Sequence, residues 1–250
     1  MSVTGDGQIE IPAEIPAEIP VEIPVDVPAN VAGVRARIAA AAHRAGRDPS
    51  EITLVAATKT VPVETVAEVL AAGVVDVGEN RAQELLAKAP ALVEQLARSG
   101  LEVRWHFLGA LQRNKVKALA PWIACWQSVD RETLGESIAR HAPGSRVLVE
   151  LNLAGEPQKP GCAPEALSGL IDTLVGQGLA VDGLMTVPPR GDDPRPWFIQ
   201  LRTLARDRGL TTLSMGMTDD FEVAVEEGAT MVRVGRALFG PWHHLQEAGR

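Results

Sequence analysis

Residues 52–73 read ITLVAATKTVPVETVAEVLAAG, and this stretch contains one complete unit of the fold. ITLVAAT is a short apolar run of strand length. PVETVAEVLAAG then spaces its apolar residues at helical intervals, with Pro62 suited to a first helical turn. Between them, at the strand's exit, stands Lys59, where a packing residue or a turn former is expected. Parallel sheets, open or closed, collect their functional groups at such strand ends.

The same alternation runs outward in both directions. Upstream, VAGVRARIAAAAHRAG from Val31 reads as a helix. Downstream come VVDVG, a helix over 81–97, VRWHFLG, a helix over 112–119, IACWQSV, a helix over 131–141 and RVLVELNL. A helix over 164–175, VDGLMTV, a helix over 196–208, TTLSMG, a helix over 219–227 and TMVRVG follow, with a terminal helical stretch after Gly240. Eight strand candidates, each followed by a helix, predict a single (β/α)8 TIM barrel, whose site lies at the strands' C-terminal ends. A doubly wound open sheet is the rival, since the same alternation can be built with fewer strands. Strand count favours the barrel.

The first thirty residues are different material. IEIPAEIPAEIPVEIPVDVPAN repeats a four-residue unit, with Pro12, Pro16, Pro20, Pro24 and Pro28 set against Glu10, Glu14, Glu18, Glu22 and Asp26. Proline at that interval excludes an interior helix, and the like charges favour an extended arm. The reading is a disordered Pro/Glu-rich arm over 1–30 and a barrel domain over 31–250. A net charge of −8 in 250 residues disfavours general binding to nucleic acid or to an anionic membrane surface. The two cysteines, Cys125 and Cys162, have no metal-ligand spacing, and no apolar run is long enough to span a bilayer. A cytoplasmic protein without metal, nucleic-acid or membrane partners is expected, as a monomer or weak dimer.

The predicted strand ends gather a polar set: Lys59; Gly78, Glu79 and Asn80; His106 with Gly109; Gln127 and Ser128; Asn152; Met185 and Thr186; Ser214 and Gly216; Arg233 and Gly235. Lys59 is the lysine among them. A lysine amine attacks a carbonyl only when unprotonated, a form favoured at a partly desolvated strand end beside another cation such as Arg233. At the far end of the chain, LSMGMTDDFEVAV and MVRVGRALFG follow the seventh and eighth strands. Ser214 supplies a hydroxyl, Gly216 permits close backbone approach, and the Met217 amide leads into a helix start that favours an anion. Gly235 and Arg236 add adjacent backbone N–H groups. In barrels these two loops are the usual phosphate cradle.

TKT, GENRAQE, WHFLGALQRNK, GLMTVPP, LSMGMTDDFEVAV and MVRVGRALFG resemble, in order and spacing, the pyridoxal phosphate homeostasis proteins, also called the YggS or PROSC family. The resemblance runs from about Val31 to Gly240. It implies a barrel like the N-terminal domain of alanine racemase. It also implies pyridoxal 5′-phosphate bound covalently to Lys59 through a Schiff base. By the same resemblance Ser214, Gly216, Met217, Gly235 and Arg236 contact the phosphate, Arg233 faces the pyridine nitrogen, and Asn80 and His106 line the ring and its 3-oxygen side. Arg236 replaces the family's usual small residue.

The implied function is a regulatory one: to hold, buffer or deliver pyridoxal phosphate, with apo pyridoxal-phosphate enzymes as recipients. The alternative is a slow amino-acid racemase or lyase. The racemases on this barrel use a tyrosine opposite the lysine, and this sequence contains no tyrosine. With one candidate base, proton removal and return on opposite faces lack a partner. No catalytic residue is therefore assigned.

Overall fold

The computed structural model describes residues 25–97 and 100–240. Eight parallel strands close in sequence order: β1 (Thr53–Ala57), β2 (Asp76–Glu79), β3 (Arg104–Phe107), β4 (Ile123–Val129), β5 (Arg146–Leu151), β6 (Ala180–Thr186), β7 (Thr212–Ser214) and β8 (Met231–Val234). β8 returns to pair with β1, Leu54 lying opposite Val232, and this pairing rules out the open sheet. Around the strands stand α1 (Val27–Arg44), α2 (Val63–Ala71), α3 (Ala82–Leu96), α4 (Val116–Leu119) and α5 (Glu132–His141). α6 (Leu167–Gly176), α7 (Arg195–Arg206), α8 (Phe221–Glu226) and the short α9 (Arg236–Phe239) complete the ring.

Strand alternation creates two separate interiors. On β5, Val147, Val149 and Leu151 pack outward into the main core shared with the helices, whereas Leu148 packs inward with Cys125 and Met185. Successive strand residues point to opposite faces, so Glu150 also turns to the barrel axis. The outer layer carries most of the hydrophobic stabilisation. Trp105, Phe107 and Trp126 are fully buried there, each contributing about 1.5–3 kcal/mol by area.

Several helix boundaries differ from the sequence reading, among them the stretch expected over 164–175, which opens as a 3-10 turn, Pro164–Ala166, before α6. α1 begins at Val27, four residues before Val31, and Val27 itself is buried. The Asp26 carboxylate caps the helix by accepting from the Ala29 amide at 2.9 Å. Pro28 falls in the first turn, where a missing N–H leaves no bond unmade. The last repeat of the proline tract thus supplies a helix start. The helix expected over 112–119 divides into a 3-10 turn, Arg113–Lys115, followed by α4. The remainder of the arm, residues 1–24, and the helical stretch expected after Gly240 lie outside the described residues. Among the described residues, no helix is long and apolar enough to cross a membrane.

Candidate functional site

Lys59 lies in the turn directly after β1 and is an exposed residue. The turn is pinned from behind. Thr58 and Glu79 face outward, towards α3, where Lys88 donates from Nζ to Glu79 Oε1 at 2.6 Å and to the Thr58 carbonyl at 2.7 Å. Thr58 Oγ1 donates to the same Glu79 oxygen at 2.9 Å, and the Thr60 amide donates to Glu84 Oε2 at 2.7 Å. Burial pushes the Glu79 carboxyl upward against the pull of the Lys88 ammonium. Thr60 has φ 60°, a left-handed conformation costly for a β-branched residue. Both neighbours of Lys59 are therefore fixed by α3 and β2, and the amine is presented at the mouth on a short, anchored turn.

A chain of hydrogen bonds crosses the barrel interior. Arg233 donates from Nη1 to Ser214 Oγ at 2.7 Å and from Nη2 to the Thr186 carbonyl at 2.8 Å. Ser214 Oγ donates onward to Gln127 Oε1 at 2.6 Å. Gln127 Nε2 meets His106 Nδ1 at 2.7 Å, and His106 Nε2 meets Asp76 Oδ1 at 2.9 Å. With His106 as the Nε2–H tautomer, every donor points the same way, from Arg233 to Asp76, and each contact joins a donor to an acceptor. Burial lowers the Arg233 guanidinium to about 10, with Glu150 and Asp220 opposing the shift, so it remains a cation at neutral pH.

Two residues expected at the site belong to this hydrogen-bonded chain. Ser214 accepts from Arg233 and donates to Gln127, and so orients the arginine. His106 pairs in register with Cys125, and both its ring nitrogens are engaged. The reason is general: inward strand positions of a small barrel are buried, and buried polar groups must be bonded. Asn80 stays exposed at the end of β2. Its carbonyl oxygen occupies the place of a side chain on Gly109, 2.2 Å from where that Cβ would stand, so only glycine lets β3 end here.

The loops after β7 and β8 meet as expected. Gly216 has φ 91°, and a Cβ there would stand 2.5 Å from Ala224 Cβ and 2.9 Å from Phe221 Cα. Its carbonyl accepts from the Arg233 amide at 2.9 Å, which ties the loop to β8. Gly235 precedes α9, and the amides of Gly235 and Arg236 sit where a helix offers its N–H groups no internal partner. The exposed Arg236 side chain pairs with Asp219 across the gap between the loops. The Met217 amide donates to Asp220 Oδ1 at 2.5 Å within its own loop.

Sequence reasoning missed Asp76, Glu84, Lys88 and Glu150. Glu150 was legible in principle, because it lies two residues before the strand-end Asn152 on the same face of RVLVELNL. Lys88 and Glu84 lie on a helix and act from behind the sheet, so no strand-end rule selects them. A recess of about 500 Å³ lies at the opposite, N-terminal end of the strands, lined by Arg35, Asp76 and Arg104 among others. Its arginines are already committed, Arg35 to the Ala72 and Gly73 carbonyls and Arg104 to Asp76. The C-terminal mouth instead combines a lysine turn, two glycine-containing loops and a buried guanidinium.

Residues 30–242 match the family model described as alanine racemase, N-terminal domain. The chain is 44% identical over 219 residues to the pyridoxal phosphate homeostasis protein of Aquifex aeolicus, covering 82% of this chain and 93% of that one. It is 42% identical to the pyridoxal phosphate homeostasis protein of Pseudomonas aeruginosa, covering 84% and 93%. Among solved structures, PipY of Synechococcus elongatus PCC7942 with PLP bound superposes with a TM-score of 0.71 at 30% identity, covering 86% of this chain and all of that one.

Proposed function

We propose that this chain, which belongs to the pyridoxal phosphate homeostasis protein family, holds pyridoxal 5′-phosphate at the C-terminal mouth of its barrel and moderates the level of free cofactor. The residues present fit that group. An anchored turn offers an amine for its aldehyde, and the loop after β7, packed on α8 at Gly216, meets the start of α9 through Thr218 and Arg236. A cation lies within the barrel at Arg233. When bound, the cofactor supplies an electrophilic aldehyde and a ring able to accept electron density.

The roles divide among the chain's residues. Lys59 Nζ would hold the cofactor by condensing with its aldehyde, whose oxygen would leave as water. The backbone at Gly216, Gly235 and Arg236 would receive the phosphate, and Asn80 would border the ring. Arg233, locked by Ser214 and Thr186, turns a permanent cation to the pyridine nitrogen; a guanidinium cannot accept a proton, so that nitrogen stays unprotonated. Electron withdrawal through the ring is then muted, which suits retention over turnover. Exposure of Lys59 lets water and competing amines reach the linkage, which suits release to apoenzymes in the cytoplasm, from a monomer or weak dimer.

The observation that carries the reading is the Thr58–Thr60 turn, clamped on both sides of the lysine by Lys88 and Glu84. Mixing the loaded protein with an apo-transaminase tests it. Transfer faster than from a cofactor imine on a non-specific lysine is expected. Equal or slower transfer sinks the delivery role.

A further inference from the structure

Glu150 is only 5% exposed, points to the barrel axis, and leaves Oε2 without a hydrogen-bond partner. A buried carboxyl oxygen left unmatched on the barrel axis, where Asp76, His106, Gln127, Ser214 and Arg233 are bonded to one another, calls for a ligand. It lies one layer above Leu148, opposite Met185 on β6, on the same interior face as Arg233. We propose that Glu150 is a further cofactor-contacting residue, its neutral carboxyl donating a hydrogen bond to the acceptor edge of the ring beside Arg233. The inference rests on the function proposed above.

The chemistry follows from what that edge offers. The ring nitrogen has one lone pair, already turned to the guanidinium, whereas the ionised phenolic oxygen keeps lone pairs to spare and only accepts. A carboxylate would be repelled by that oxygen, whereas a carboxylic acid donates to it. The surroundings favour the acid. Burial pushes the Glu150 carboxyl up to about 7, the Asp130 carboxylate at the end of β4 pushes it further the same way, and Arg233 on β8 opposes them. Opposite on β6 stands uncharged Met185, while the Cys162 thiol, raised by burial to about 11, stays neutral. Asp220, after β7, acts on Arg233. The hold on the ring therefore loosens as pH rises through about 7, which gives the site a pH-dependent release.

Pyridoxine 5′-phosphate, which has no carbonyl, separates this contact from capture by Lys59. Its affinity is measured between pH 6 and pH 8 for wild type, Glu150→Gln and Glu150→Leu. A contact needing a carboxyl that titrates near 7 weakens wild-type binding about tenfold over that range, beyond the change all three share from the ligand's phosphate. Glu150→Gln, whose amide donates at any pH, shows only the shared change. Glu150→Leu binds about tenfold more weakly than wild type at pH 6. Parallel profiles for wild type and Glu150→Gln, or equal affinities of all three at pH 6, overturn the inference. Thermal unfolding of the apoproteins supplies a second readout. A carboxyl raised in the folded state costs stability as pH rises from its unfolded value through its folded one, so Glu150→Gln gains Tm over wild type from pH 5.5 to pH 8. No such gain also counts against the inference. Failure of wild type to bind the probe, together with failure of pyridoxal 5′-phosphate to label Lys59, instead removes the proposed function and this inference with it.

Discussion

Thr60 holds a left-handed backbone with its hydroxyl buried and unpartnered, beside the exposed lysine it helps to aim. Such strain persists only where surrounding bonds over-determine it. Gly216 shows the converse, a residue chosen for what it lacks. Gly216→Ala forces a Cβ against the α8 backbone and adds the left-handed penalty, and is expected to cost about 3 kcal/mol in urea unfolding; a change below about 0.5 kcal/mol would show that the loop is not packed as described. Asp76 gives a pH signature. Burial alone would raise its carboxyl, but the hydrogen bonds from His106 and Arg104 and the Arg104 charge outweigh that and hold it below the usual carboxylate range. Its stabilisation is thus complete above the unfolded value and is lost as pH falls through the lower folded one. Asp76→Asn should therefore lie well below wild type in Tm at pH 6 and approach it near pH 2, and a constant gap would contradict the assignment. Residue identity alone did not reveal these roles. The strands of Ser214 and His106 were legible, but their bonds to Arg233 and Gln127 were not, because those partners meet only when the barrel closes.

At the scale of elements, α3 is the support for the lysine turn. It sends Lys88 and Glu84, four residues apart on one helical face, to the turn after β1, and Lys88 also neutralises the fully buried Glu79. Lys88→Met leaves a buried carboxylate unpaired and is expected to cost about 3 kcal/mol, and to slow borohydride-trapped labelling of Lys59 more than it weakens pyridoxine 5′-phosphate binding. The double variant Lys88→Met/Glu79→Gln should recover most of the stability but not the labelling rate. If stability and labelling recover together, α3 supports the fold without aiming the lysine. Helices were legible here through apolar spacing, yet that spacing describes the face that packs, not the polar end that reaches around a strand. α1 carries a related lesson: a proline every four residues reads as helix-excluding until the cap at Asp26 and burial of Val27 turn the last repeat into a first turn.

At the scale of the molecule, eight units of apolar strand and amphipathic helix made the barrel legible, because parallel strands buried on both faces leave a strong hydrophobic pattern. The mouth was legible through its glycines and its lysine. The inner polar chain was not, since it joins β2, β3, β4, β7 and β8 through side chains that are distant in sequence and meet only across the closed axis. The barrel thus uses its two faces for different purposes: the outer layer stabilises, and the inner one sets the orientation of Arg233 beneath the exposed amine. The most direct test is to load the protein with pyridoxal 5′-phosphate, reduce with borohydride and map the label by peptide mass spectrometry, with Lys59→Ala alongside. The account predicts one phosphopyridoxyl group on Lys59 and none on the variant. A label on another lysine, or an equal yield from Lys59→Ala, would contradict it.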